Sequence, residues 1–133
     1  MKFKALTPTL MVKNVQRSID FYSLNFDFEV VATVPGKNEE LVFALMKRDE
    51  VSLMFQTMES FAEVHTGYVK TPVGATVLFY IDVENLEEVY ERVKKNKVEI
   101  FIDLNNTFYG TREFSIKDCD GYLISFAEDV KVV

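Results

Sequence analysis

Apolar and polar positions alternate most clearly between residues 109 and 128. There two runs, 113–117 and 122–126, flank the link Asp118-Cys119-Asp120-Gly121. Alternation with a period of two puts every second side chain on one face of a strand. Aspartate and glycine supply the polar and positive-φ positions of a turn, so the pattern predicts a hairpin. A fainter copy stands 71 positions earlier, with Phe43 for Phe114, Leu45 for Ile116, Asp49 for Asp120, Val51 for Tyr122, Leu53 for Ile124 and Phe55 for Phe126.

The rest of the chain follows the same doubling. Residues 7–12 are β-rich and predict a strand, after which Asn14 caps a helix whose apolar face is Val15, Ile19, Tyr22 and Phe26. A strand over 28–34 ends at Pro35-Gly36, and 41–47 with 51–57 make a hairpin about Arg48-Asp49-Glu50. Residues 58–74 hold Gly67, Pro72, Gly74 and the only histidine, His65, and read as a connector with one helical turn. The order then restarts: a strand over 75–83, and Asn85 capping a helix with Glu88 in a capping-box-like position. That helix has the stripe Leu86, Val89, Tyr90 and Val93, with Lys94, Lys95 and Lys97 at its C-terminal end, where the macrodipole favours cations. A strand over 98–104, a turn at Asn105-Asn106 and the hairpin complete the unit. Val12 and Val83, Asn14 and Asn85, and Val15 and Leu86 are each 71 apart, which reads as an internal duplication.

Composition narrows the function. A chain of 133 residues is long enough to bury a core without staples, and a single cysteine, Cys119, permits no intrachain disulfide and suits a reducing cytoplasm. The basic start is followed by an apolar run too short for a signal peptide, and no stretch reaches membrane-spanning length. A net charge of −6, from 15 Lys plus Arg against 21 Asp plus Glu, argues against nucleic acid and favours cationic ligands. Twelve Phe and six Tyr exceed what a small core needs, so some rings are expected to line a cleft.

Two segments carry a family resemblance: residues 10–22, Leu-Met-Val-Lys-Asn-Val-Gln-Arg-Ser-Ile-Asp-Phe-Tyr, and Tyr109-Gly110-Thr111-Arg112-Glu113-Phe114 followed by 118–122. At this spacing the chain resembles the vicinal oxygen chelate superfamily of glyoxalase I, bleomycin-resistance proteins and extradiol dioxygenases, departing from it at Cys119, where the family usually has proline. The resemblance implies an α+β fold of two tandem βαβββ modules, curled into a cup-shaped mixed sheet with flanking helices, commonly in a homodimer. Module one is then 1–57, the connector 58–74 and module two 75–133, together one domain over 1–133. In the family's enzymes a divalent metal sits in the cup, held by His, Glu or Gln.

By register, the family's metal-ligand positions fall on Thr7, Met54, Leu78 and Ser125, none of them a carboxylate or imidazole. A two-residue slip would bring in Ser52 or Gln56 from the same strand face. No metal and no cofactor are therefore expected, and an enzyme of the glyoxalase, epimerase or dioxygenase kind would lack its electrophile. His65 lacks a visible orienting partner for general-base work, and Cys119 between two aspartates would have a raised rather than lowered thiol pKa. The candidate ligand-binding residues are Thr7, Met54, Gln56, Leu78, Tyr80, Phe108, Tyr109, Arg112, Glu113 and Ser125, with Arg112 and Glu113 readable as a local ion pair. The expected function is metal-free binding of a small aromatic or cationic compound. The alternatives are an enzyme with a non-standard metal site and a dimerisation module whose cup is filled by residues such as Leu78 and Met54.

Overall fold

A computed structural model describes residues 1–64 and 77–130. Its backbone divides into two compact units, Met1–Val73 and Gly74–Val133. The first runs β1 (Thr9–Val12), α1 (Val15–Phe26), β2 (Glu29–Pro35), β3 (Leu41–Arg48), β4 (Val51–Thr57) and α2 (Met58–Val64). The second runs β5 (Leu78–Asp82), α3 (Leu86–Lys95), β6 (Ile100–Asn106), β7 (Thr111–Lys117) and β8 (Leu123–Asp129). Each unit holds a four-stranded mixed sheet, ordered β1-β4-β3-β2 in the first and β5-β8-β7-β6 in the second. The first strand of each pairs in parallel with the last, and the other pairs are antiparallel. The chain is thus α+β, built from tandem βαβββ modules. His65, Gly67, Pro72, Gly74 and Ala75 lie outside the described residues.

In the first unit the apolar stripe of α1 packs on one face of its sheet. Val15, Ile19, Tyr22 and Phe26 are buried, as are Leu10 and Val12 from β1, Ala44 and Met46 from β3, and Leu53 and Phe55 from β4. Tyr22 stacks on Phe55 at 5.0 Å between ring centroids, and burying a side chain of that size stabilises by about 1.5–3 kcal/mol. Asn14 accepts a hydrogen bond from the Arg17 N–H at 2.8 Å, satisfying one of the helix's orphan donors. At the other end Asp27 takes the left-handed conformation and stops the helix, its N–H bonding the Ser23 carbonyl.

The second unit repeats this layering with α3 over Phe114 and Ile116 of β7 and Ile124 and Phe126 of β8. The β7–β8 link closes tightly: Asp118 accepts from the N–H groups of Asp120 and Tyr122, both at 2.9 Å, and Gly121 sits at φ 89, a conformation other residues adopt only with strain.

Several expectations change. The strand expected over 7–12 begins at Thr9, leaving Thr7 before it. The connector's single turn is a seven-residue helix, α2, packed on β4 and β1. Asn105 and Asn106 end β6, and the reversal falls on residues 107–110, where Gly110 supplies φ 89 and the Thr107 N–H bonds the Thr111 carbonyl at 2.8 Å. Asn85 does not cap α3 with its side chain: it is itself left-handed and donates to the Glu88 carboxylate at 2.9 Å. The first α3 N–H, from Leu86, goes instead to the Glu128 carboxylate at the end of β8. The constant repeat of 71 also fails in one hairpin strand. In burial Ala44 matches Phe114 and Met46 matches Ile116, 70 positions apart, whereas Leu53 matches Ile124 at 71. The one-residue difference is absorbed in the hairpin ends, where six residues separate the paired Met46 and Leu53 and seven separate the paired Ile116 and Ile124.

Candidate functional site

Strand β7 sends alternate side chains to opposite faces. Phe114 and Ile116 point to α3, so Thr111, Glu113 and Ser115 take the other face. Pairing adds Tyr80 of β5, level with Ser125 of β8, itself level with Ser115. The 107–110 turn then carries Phe108 and Tyr109 to the edge of this face.

The centre of the face is Glu113. Tyr80 Oη donates to Oε2, Thr111 Oγ1 donates to the same oxygen at 2.8 Å, and Tyr109 Oη donates to Oε1 at 3.0 Å. Thr111 is held in turn by Thr107, whose Oγ1 lies 2.8 Å away. Burial alone would raise the Glu113 carboxyl, but the three hydroxyl donors outweigh it and hold the group below its usual range. The same bonds act oppositely on the phenols. Tyr80 is pushed up to about 12, chiefly by its bond to Glu113, and Tyr109 is raised by the same carboxylate. Glu113 is therefore a fixed negative charge among neutral hydroxyls. Among the described residues it makes no ion pair.

The aromatic parts remain accessible. Tyr80 is 47% exposed, Tyr109 57% and Phe108 fully, with Phe108 edge-on to Tyr109 at 5.0 Å between centroids. Beside them Ser115 and Ser125 are buried and share one hydrogen bond, Oγ to Oγ, at 2.6 Å.

Of the residues singled out from the sequence, Tyr80, Tyr109 and Glu113 meet directly, Ser125 lies level with Tyr80, and Phe108 joins through Tyr109. Leu78, two residues before Tyr80 on the same face, is 45% exposed rather than filling a core. Arg112 is corrected. It points to the α3 side of the sheet, where its Nε bonds Glu87 at 3.0 Å and its Nη1 bonds Asn106 at 3.2 Å, so the expected pair with Glu113 is not made. Thr7, Met54 and Gln56 belong to the first unit. There Met54 and Gln56 share the β4 face away from α1, and Gln56 donates to Ser60 of α2 at 3.1 Å. Thr111 and Ser115 were not picked out in the sequence, although standing two residues either side of Glu113 was signal enough.

The donor chemistry does not fit the family's metal. Thr7, Met54, Leu78 and Ser125 offer no carboxylate or imidazole, and the Ser125 hydroxyl is engaged with Ser115. Among the described residues no group of three or more His, Cys, Asp or Glu converges. No helix among them is long and apolar enough to cross a membrane.

Comparison with known proteins agrees with this architecture. A bleomycin resistance protein of Geobacillus stearothermophilus is 26% identical over 133 residues, covering 93% of this chain and 96% of its own. An uncharacterised protein of Mycobacterium bovis is 24% identical over 132 residues, covering 97% and 86%. The crystal structure of TioX from Micromonospora sp. ML1 superposes with a TM-score of 0.77 at 17% identity, covering 96% of this chain and all of that one. The family model of the Glyoxalase/Bleomycin resistance protein/Dioxygenase superfamily matches residues 4–126, and the chain belongs to that superfamily.

Proposed function

We propose that this chain is a small-molecule-binding protein that takes a cationic or aromatic compound on the Tyr80–Tyr109–Glu113 face without the help of a metal. The observation that carries the reading is the Glu113 carboxylate, kept ionised by three hydroxyl donors and unpaired with any described cation, beside exposed rings. A ring face and a nearby fixed anion both attract a positive group, and an open aromatic surface suits a planar one. Similarity to bleomycin resistance proteins supports a binding role, the family resemblance supports a homodimer, and the single cysteine supports a reducing cytoplasm. The superfamily's enzymatic members need an electrophile, for which the residues at the metal positions supply no donors.

The test is a thermal-shift screen of cationic antibiotics and planar aromatic compounds, repeated with Glu113→Gln. At least one cationic compound should raise the melting temperature of the native chain, and the variant should respond less. A panel that leaves the native protein unmoved sinks the reading. Elemental analysis of protein purified without added metal is expected to find no stoichiometric divalent ion, and sedimentation should give twice the chain mass.

A further inference from the structure

The way Glu113 is held restricts which cation it can receive. A carboxylate has about four acceptor positions, two on each oxygen. On Oε2 both are taken, by Tyr80 and Thr111, and on Oε1 one is taken by Tyr109. A guanidinium fork needs an open position on each oxygen. Oε2 has none to give. A primary ammonium is a strongly hydrated point charge with three donors, and at this site it would exchange its water for a single remaining lone pair.

A cation without N–H donors meets neither obstacle. It has no hydrogen bonds to replace and binds through the field of the carboxylate and the negative faces of the rings. Both are present. Each phenol donating to an anion gains electron density, so the faces of Tyr80 and Tyr109 are more negative than those of free tyrosine. The rings are also held in place beforehand, because two hydroxyls from different segments are tied to one carboxylate. A ligand would not have to order them, and preorganisation of this kind favours affinity. Phe108, fully exposed beside Tyr109, leaves room for a bulky headgroup and offers a further apolar wall.

We infer that the Tyr80–Tyr109–Thr111–Glu113 cluster selects quaternary or fully alkylated ammonium compounds over primary amines and guanidines. The inference rests on the binding role proposed above and names the class of ligand.

The experiment is calorimetric titration of one aromatic scaffold with three heads: benzyltrimethylammonium, benzylamine and benzylguanidine. The trimethylammonium compound should bind tightest, by about two- to fivefold, the scale of one cation–π contact at an exposed site. Tyr80→Phe removes one hydroxyl and opens a position on Oε2. It should narrow or reverse the preference by strengthening the amine and guanidine, which a loss of mere scaffolding would not do. Thr111→Val opens the same oxygen and serves if Tyr80→Phe proves unstable. Benzylamine or benzylguanidine binding the native protein as tightly as the quaternary compound overturns the selectivity and leaves the binding role standing. No binding of any of the three to protein with an intact circular-dichroism spectrum overturns the binding role and the selectivity together.

Discussion

Glu113 and Tyr80 are two ends of one hydrogen bond, and each end gives the bond a pH limit. The Tyr80 pKa in the fold, about 12, lies above its ordinary 10.0, so the neutral phenol is the favoured form. The bond's contribution to stability is whole below pH 10 and disappears as the pH rises through about 12. Glu113 shifts the other way. Its contribution is present above the ordinary carboxylate value of 4.5 and is lost as the pH falls through the lowered value in the fold. Melting temperatures of the native chain and Glu113→Gln should therefore differ at neutral pH and converge in acid. Those of the native chain and Tyr80→Phe should converge in strong base, where near-ultraviolet titration should also find Tyr80 ionising late. The Ser115–Ser125 pair gives a different test. Replacing either serine by alanine strands the other buried hydroxyl, at about 1–3 kcal/mol, whereas replacing both costs less than the two single changes summed. Denaturant unfolding of the three variants measures the coupling. Half of this chemistry was legible in the sequence. Tyr80 stood out by strand period, and Tyr109 and Glu113 by lying in the segment that carries the family resemblance. Arg112 misled because neighbouring residues on a strand face opposite ways, and a charge that has Glu87 across the sheet has no need of the acid beside it in sequence.

Helices and strands were more legible than their ends. The stripe of α1 predicted the apolar part of its buried face, because a helix that packs on one sheet must repeat at 3.6 positions, while the polar Ser18 and Asn25 buried beside it escaped a reading of apolar residues. Its cap was equally plain, and Asn14→Ala should cost about 1 kcal/mol in chemical denaturation. The matching Asn85 looks identical in sequence and acts differently. Its left-handed backbone turns the side chain away from the α3 amides, and Glu128, 42 residues beyond Leu86, serves the Leu86 N–H in its place. Local pattern could not reveal a cap that arrives from another strand. Glu128→Ala should consequently destabilise the second unit by about 0.5–2 kcal/mol through loss of the cap. Asn85→Gly should cost little, since glycine adopts positive φ without strain. The turn expected at Asn105-Asn106 failed for a related reason. The asparagines suit a turn, but glycine at 110 suits it better, and the strand runs on until Gly110 can reverse it.

At the scale of the whole molecule, doubling explains why so much of the architecture could be read from one sequence: every element of the βαβββ unit is stated twice, α2 alone among the described elements standing outside the repeat, and the clear copy interprets the faint one. The copies have also drifted in length. Two residues separate α1 from β2 and four separate α3 from β6, α3 having 10 residues where α1 has 12, while the hairpin gains one residue between its paired strands. The β3–β4 and β7–β8 pairings run without a register shift, because a one-residue slip would turn a strand inside out, and the shifts that do occur are bulges confined to the pairings of β2 and β6. The mismatch between the halves is therefore a record of where this chain has absorbed insertions, and it doubles as a guide for engineering. A reporter peptide spliced at Asp49-Glu50 or within 118–122 leaves the inward faces where they are. A single extra residue near the start of β7 would aim Glu113 at α3 and turn Phe114 out into solvent.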